Sequence, residues 1–204
     1  MKIAIVHDWF VNAGGAENVL KAILEIYPEA DIFSVVDFFD DRQREKFLNG
    51  KTTTNTFIQR LPFSKSKYRT YLPLMPFAIE QLDVTAYDLV ISSSHAVAKG
   101  VMTSPNQVHI CYCHSPIRYV WDMKFEYLKE SSLNKGVKSL LAKYFLYRIK
   151  KWDFIVSQNV DYYIANSHFI QRRIKKFYRR DSEVIFPNVE VYAFTLEKGK
   201  ENFY

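Results

Sequence analysis

Lys2-Ile3-Ala4-Ile5-Val6-His7 runs into Asp8, and after a short loop Gly14-Gly15 opens a segment with Ala16, Val19, Leu20, Ile23 and Leu24 at helical spacing. This stretch decides the fold. The first run is too short for a helix and reads as a buried strand. The second is an amphipathic helix that Pro28 ends. Strand, glycine turn and helix together make one βα unit.

The same alternation continues outward from it. Residues 31–36 read as a strand, 40–48 as a short charged helix, and 52–58 as a third, β-rich strand. Residues 60–83 are interrupted by Pro62, Pro73 and Pro76 and read as a loop with broken helical pieces. Strands follow at 87–93 and 108–113, then a partly helical 117–128 and a long helix over 136–159. Residues 161–165 are a strand, 168–179 an amphipathic helix and 183–186 the last clear strand. Such alternation implies parallel βαβ units with right-handed crossovers. The expected fold is α/β: a Rossmann-like, doubly wound, mostly parallel sheet. Residues 1–190 form the expected domain. Residues 191–204 read as a linker or the start of a further domain, and the ending Asn202-Phe203-Tyr204 suggests a chain cut short.

Composition fits one globular domain: 204 residues, 48% hydrophobic and 25% charged. Met1-Lys2 leads straight into the first strand, so no signal peptide is read. No run approaches the ~20 apolar residues of a membrane span. Cys111 and Cys113 lie two apart in a strand, roughly 6.5–7 Å between Cα atoms, at or beyond disulfide reach. Two reduced thiols in a cytoplasmic protein is the expectation. The net charge of +6 favours anionic partners without choosing among them.

Polar residues gather at successive strand ends: His7-Asp8, Ser93-Ser94-His95, His114-Ser115 and Asn166-Ser167. In an open parallel sheet that is where ligands bind, although strand-to-helix loops are polar in any case. Gly14-Gly15 lies at a helix N-terminus suited to phosphate. An ordinary tight turn explains it equally well, since Asn12-Ala13-Gly14-Gly15-Ala16-Glu17 is not G-x-G-x-x-G. His114, beside the Ser115-Pro116 turn, is placed to bind a ligand oxygen or shuttle a proton, or else to bond a backbone carbonyl. His109 reads as structural. His7 and His95 read as ligand contacts or turn residues, and His168 as a first-turn helix residue. No metal-ligand spacing is present, and no metal or other cofactor is expected. Arg60, Lys65, Lys67 and Arg69 interleave with Phe63, Tyr68, Tyr71 and Phe77, and Arg172, Arg173, Lys175, Lys176, Arg179 and Arg180 crowd the late helix. The first mixture suits a membrane interface, or stacking on single-stranded nucleic acid. The helix, taken alone, reads better as a solvated face. No helix-turn-helix, RRM or zinc pattern supports nucleic-acid binding.

The opening strand with Gly14-Gly15-Ala16-Glu17 resembles the start of the family 4 glycosyltransferases of the GT-B fold. So do the blocks Tyr112-Cys113-His114-Ser115-Pro116 with Trp121-Asp122, Tyr163-Ile164-Ala165-Asn166-Ser167, and Val184-Ile185-Phe186-Pro187-Asn188-Val189, in that order. The resemblance is strongest to the mannosyltransferase-like branch of bacterial surface polysaccharide synthesis. It implies the N-terminal, acceptor-side half of a retaining, metal-independent enzyme that takes a hexose from a nucleotide sugar to a glycan or lipid-linked acceptor. By this likeness His114 is the catalytic candidate, and Gly14, Gly15, Glu17, His95, Asn166 and Ser167 are substrate-binding candidates. Arg60, Lys65, Lys67, Arg69, Arg172, Lys175 and Lys176 are candidates for membrane or acceptor contact, at the inner face of the cytoplasmic membrane. The family's other half holds the nucleotide, with a Glu pair and a basic pair for the diphosphate. The chain stops before these, so it is expected to be inactive alone. The alternative is a stand-alone module that binds anionic lipid or another polyanion.

Overall fold

The computed structural model describes residues 1–130 and 135–189. The strands are β1 Ile3–His7, β2 Asp31–Ser34, β3 Thr53–Asn55, β4 Leu89–Ser94, β5 Val108–Cys113, β6 Tyr162–Ala165 and β7 Glu183–Val184. All pair in parallel, in the order β3-β2-β1-β4-β5-β6-β7. The connecting helices are α1 Gly15–Ile26, α2 Asp41–Leu48, α3 Ser64–Lys67, α4 Met75–Glu80, α5 Lys124–Glu130, α6 Gly136–Ser157 and α7 His168–Tyr178. The chain winds outward from β1 to β3, crosses back and winds outward again from β4. The order therefore reverses between β1 and β4, and loops diverge there to leave a crevice.

Both central strands are covered on both faces, which is why they read as continuous apolar runs. Ala4, Val6 and Val90 pack against Met75, Ala78, Ile79, Leu146 and Ile149 on one side. Ile5, Ile32 and Ile91 pack against Leu20, Leu24 and Leu48 on the other. Each Val, Leu, Ile or Met side chain among them contributes about 1.5–3 kcal/mol when fully buried. A third cluster joins Cys111, Cys113, Tyr163 and Ala165 to Ile170, Ile174 and Tyr178 of α7. Both cysteines are free and buried.

Three expectations change. The third strand is only Thr53–Asn55. Thr56 leaves it because its hydroxyl donates to the Val35 carbonyl and accepts the Ile58 N–H, capping the 3-10 helix Phe57–Arg60. The strand over 183–186 shrinks to two residues, since only Ile164 and Ala165 pair with it. Arg173 is not on the solvated face of α7. It is buried, bonded to Asp122 and to the Pro116 carbonyl. The expected boundary at residue 190 and the 191–204 tail lie outside the described residues.

Gly100, in the 3-10 helix Ala98–Gly100, faces the ring of Trp152. A Cβ there would stand 2.6 Å from Trp152 Cη2 and 3.3 Å from Ile79 Cγ2, while the Trp152 Nε1–H is held by Glu80 at 2.6 Å. Gly100→Ala is expected to destabilise the chain by about 1–3 kcal/mol through overpacking, read as a lower urea midpoint. An unchanged midpoint would mean that the indole moves aside freely.

Candidate functional site

Strand register builds the site. His7 pairs with Ser93, and Ser93 with Tyr112. One step on, Ser94 is level with Cys113, and Cys113 with Ala165. His95, His114 and Asn166 come next, so three consecutive strands deliver them side by side. Because side chains alternate along a strand, His7 and Asp8 diverge: His7 points toward Glu17 of α1, and Asp8 toward the loop after β4.

Asp8 is fully buried and organises that loop. Its Oδ2 accepts the N–H groups of His95 at 2.6 Å and Ala96 at 2.9 Å, and its Oδ1 those of Val97 and Ala98, both at 2.7 Å. The Nδ1 of His95 adds a fifth contact at 3.0 Å. Burial pushes the Asp8 carboxyl up. The charge and hydrogen bond of His95, the nearby His7 and the His95 N–H outweigh burial and hold it well below the usual carboxylate range. Burial in turn pulls His95 down, but Asp8 raises it above an ordinary imidazole. The loop's far end is pinned by Lys99, whose buried ammonium meets Asp153 at 2.5 Å and the Ala96 carbonyl at 2.7 Å. Asp153 also accepts Trp121 Nε1–H at 2.7 Å and the Tyr178 hydroxyl at 2.9 Å.

His114 behaves differently. Burial, then the charges of His7 and His95, push it down to about 3, so its ring is neutral. Its Nε2 lies 2.9 Å from Ser93 Oγ, and its carbonyl accepts the Asn166 Nδ2–H at 3.1 Å. His109 is buried against Ser92, 2.8 Å away, and burial lowers it to about 4. That is the structural role expected of it.

Gly15, Ala16, His95, His114, Ser115, Arg118, Tyr119, Asn166 and Pro187 line a cleft of about 470 Å³. It lies over the carboxyl ends of β1, β4, β5 and β6, beside the switch point. A cleft of about 430 Å³ at the other end of the sheet, with Met1, Tyr27 and Tyr87, has no converging histidines. The first N–H groups of α1 have no intrahelical acceptor, and a Cβ on Gly15 would meet nothing within 4 Å. Gly15 thus keeps the helix end open. Arg118 is exposed and, among the described residues, has no carboxylate partner.

The expected residues divide clearly. Gly15, His95, His114 and Asn166 line the cleft. Gly14 and Glu17 sit behind it: the buried Glu17 accepts the Gly14 N–H at 2.7 Å and approaches His7 Nε2 at 3.4 Å. Ser167 caps α7, accepting the Ile170 N–H at 3.3 Å. Arg60, Lys65, Lys67, Arg69, Arg172, Lys175 and Lys176 are all exposed and outside the cleft lining, and Lys175 pairs with Asp181 at 2.6 Å. Asp8 and Ser93 were read from sequence only as polar strand-end residues, with no role given to either, and Arg118 was not singled out. Asp8 had a signal, a carboxylate directly after a buried central strand. Arg118 had none beyond its closeness to His114. Among the described residues, no group of three or more His, Cys, Asp or Glu is arranged to hold a metal ion.

Asp8→Asn leaves one oxygen for four N–H donors and is expected to cost about 3–5 kcal/mol, the range for breaking a buried charged network. Because the folded Asp8 carboxyl titrates below its unfolded value, its contribution is present above about pH 4 and fades as pH falls further. Urea unfolding at pH 7 and pH 3.5 should show a smaller gap between the two chains at the lower pH. An equal gap would mean that the Asp8 charge is not what holds the loop.

No curated protein matches the chain. Among solved structures, HepE of Anabaena in complex with UDP superposes with a TM-score of 0.52 at 15% identity, over 94% of this chain and 45% of that one. The same protein with UDP and glucose gives 0.54 at 16%, over 97% and 47%. The chain thus spans just under half the length of these structures, and at such identity they show a shared fold. Glycosyltransferase Family 4 matches residues 13–191, most of the chain. With this match over the cleft-bearing sheet, the chain belongs to Glycosyltransferase Family 4.

Proposed function

We propose that the chain is the acceptor-side, N-terminal half of a two-domain enzyme that moves a hexose, mannose being the first sugar to try. The donor is a nucleotide sugar, the acceptor a glycan or lipid-linked glycan, and the configuration is retained without a metal. The observation that carries this is the cleft itself. At one end of the sheet it sets a cation-prone His95 and Arg118, which has no carboxylate partner among the described residues, beside the open N-terminus of α1, an arrangement suited to phosphate. Beside them stands the neutral His114, suited to a sugar hydroxyl or the reacting carbon's surroundings. The family assignment and the UDP and glucose held by HepE support the same ligand class. A departing diphosphate needs fixed positive charge and a water-poor site, and a second domain closing over the cleft would complete both.

His114→Ala is expected to lower kcat/KM for sugar transfer by about 10²-fold or more, as loss of a positioned group at the reacting centre does. Assay of the complete two-domain enzyme with labelled nucleotide sugars checks this, and an unchanged kcat/KM would remove His114 from the site.

A membrane-facing role for part of the surface has its own support. Phe63 and Phe77 are exposed among Arg60, Lys65, Lys67 and Arg69, and on α6 exposed Val137, Leu140, Leu141 and Tyr144 alternate with Lys138 and Lys143. No acidic residue interrupts 57–79 or 135–152. No described helix is long and apolar enough to cross a membrane. Such a surface lies on an anionic bilayer by partial insertion and charge attraction. Co-sedimentation with phosphatidylglycerol vesicles should exceed that with phosphatidylcholine and fall with salt. Replacing Lys65, Lys67 and Lys143 with Glu should abolish it, and equal binding to both vesicles would contradict the reading.

A further inference from the structure

Glu17, His7, Ser93 and His114 form one unbroken line from the first turn of α1 to the cleft. Glu17 Oε1 is 3.4 Å from His7 Nε2, His7 Nδ1 is 3.1 Å from Ser93 Oγ, and Ser93 Oγ is 2.9 Å from His114 Nε2. The first three are buried. Counting protons then gives a direction to every bond.

Glu17 has nothing to donate. Burial pushes its carboxyl up, but His7 and the Gly14 N–H bring it below the ordinary value. His7 Nε2 must therefore carry the proton it shares with Glu17. At pH 8, where an ordinary imidazole carries a single N–H, His7 Nδ1 is then a bare lone pair and accepts the Ser93 hydroxyl. Ser93 has now used its single proton. It can only accept from His114, whose Nε2 is therefore protonated. The remaining nitrogen, His114 Nδ1, has no protein partner among the described residues, on a ring that lines the cleft.

We propose that the Glu17–His7–Ser93 chain locks His114 as its Nε2–H tautomer, leaving Nδ1 as a hydrogen-bond acceptor that selects a ligand hydroxyl. Glu17, His7 and Ser93 are positioning residues: none of them lines the cleft, and each acts through the next. That the hydroxyl belongs to a donor sugar rests on the function proposed above. The tautomer does not.

The structure also supplies a way to reverse the chain. Both Glu17 oxygens are used, one by the Gly14 N–H and one by His7. In Glu17→Gln the single amide oxygen is claimed by the Gly14 N–H, which turns the amide NH₂ toward His7 Nε2. His7 must then accept there and donate from Nδ1. Ser93 rotates to donate to His114 Nε2, and the His114 proton moves to Nδ1. One buried atom changes, and a ring three hydrogen bonds away changes tautomer.

The test is ¹⁵N NMR of the chain labelled in histidine, at pH 8 so that ordinary imidazoles carry one proton, with His114→Gln used to assign its signals. Expected for the parent chain is a protonated, pyrrole-type Nε2 and a bare, pyridine-type Nδ1 on His114. Glu17→Gln should exchange the two signal types, and Glu17→Gln with Ser93→Ala should match Ser93→Ala alone. A merely structural Glu17 would shift stability and leave the His114 nitrogens as they were. That result overturns the proposal, as does a parent His114 protonated at Nδ1. If Glu17→Gln does not fold, Ser93→Ala decides: loss of the single tautomer to a mixture supports the chain, and an unchanged Nε2–H pattern overturns it. Absence of sugar transfer by the complete two-domain enzyme, alongside the expected tautomers, would sink the function and leave this inference standing.

Discussion

One carboxylate accepting four consecutive backbone N–H groups holds the site together. Asp8 leaves the central strand and meets residues 95–98 as the chain turns out of β4. A buried charge is tolerated only when it is fully paired, and here the pairing is mostly with main chain, so it fixes backbone and not just side chains. The turn cannot open without exposing an unpaired carboxylate and four unpaired donors together. His95 is set by this turn, and Lys99, at its other end, ties the same few residues to α6 and α7 through Asp153, Trp121 and Tyr178. The switch point of the sheet thereby becomes rigid on the side where the cleft lies.

The two cleft histidines are driven to opposite states by this frame. His95 sits against a buried anion and is raised, while His114 has no carboxylate in contact among the described residues and is lowered to about 3. Similar side chains with rings 6.4 Å apart therefore offer different chemistry, one a cation-prone donor and the other a neutral ring. A nucleotide sugar has the matching asymmetry, with phosphate at one end and hydroxyls at the other.

The fold was legible in the sequence because it rests on period and punctuation. The run from Ile3 to His7, the helical spacing after Gly15 and the Pro28 stop are local signals, and parallel winding follows from their repetition. What misled was local too: Thr52–Thr54 and Thr56 carry high strand propensity, but a hydroxyl that caps the next turn removes Thr56 from the strand. Of the site, the histidines and Asn166 were readable as strand-end residues, since register alone brings them level. The roles of Asp8, Ser93 and Arg118 were not. Asp8 bonds residues 87 to 90 positions away, and Ser93 matters only because two rings reach it from separate strands. Glu17 was read as a substrate-binding candidate by the family likeness. Its side chain instead turns inward, to the Gly14 N–H and His7.

The most direct test of the account is where a nucleotide sugar touches this domain. Amide shifts of the ¹⁵N-labelled chain, followed as UDP-glucose is added to millimolar concentration, locate that contact without requiring turnover. The account predicts changes at Gly15, Ala16, His95, His114, Arg118 and Asn166, with the opposite end of the sheet around Met1, Tyr27 and Tyr87 unmoved. Changes confined to that opposite end would contradict the assignment of the cleft.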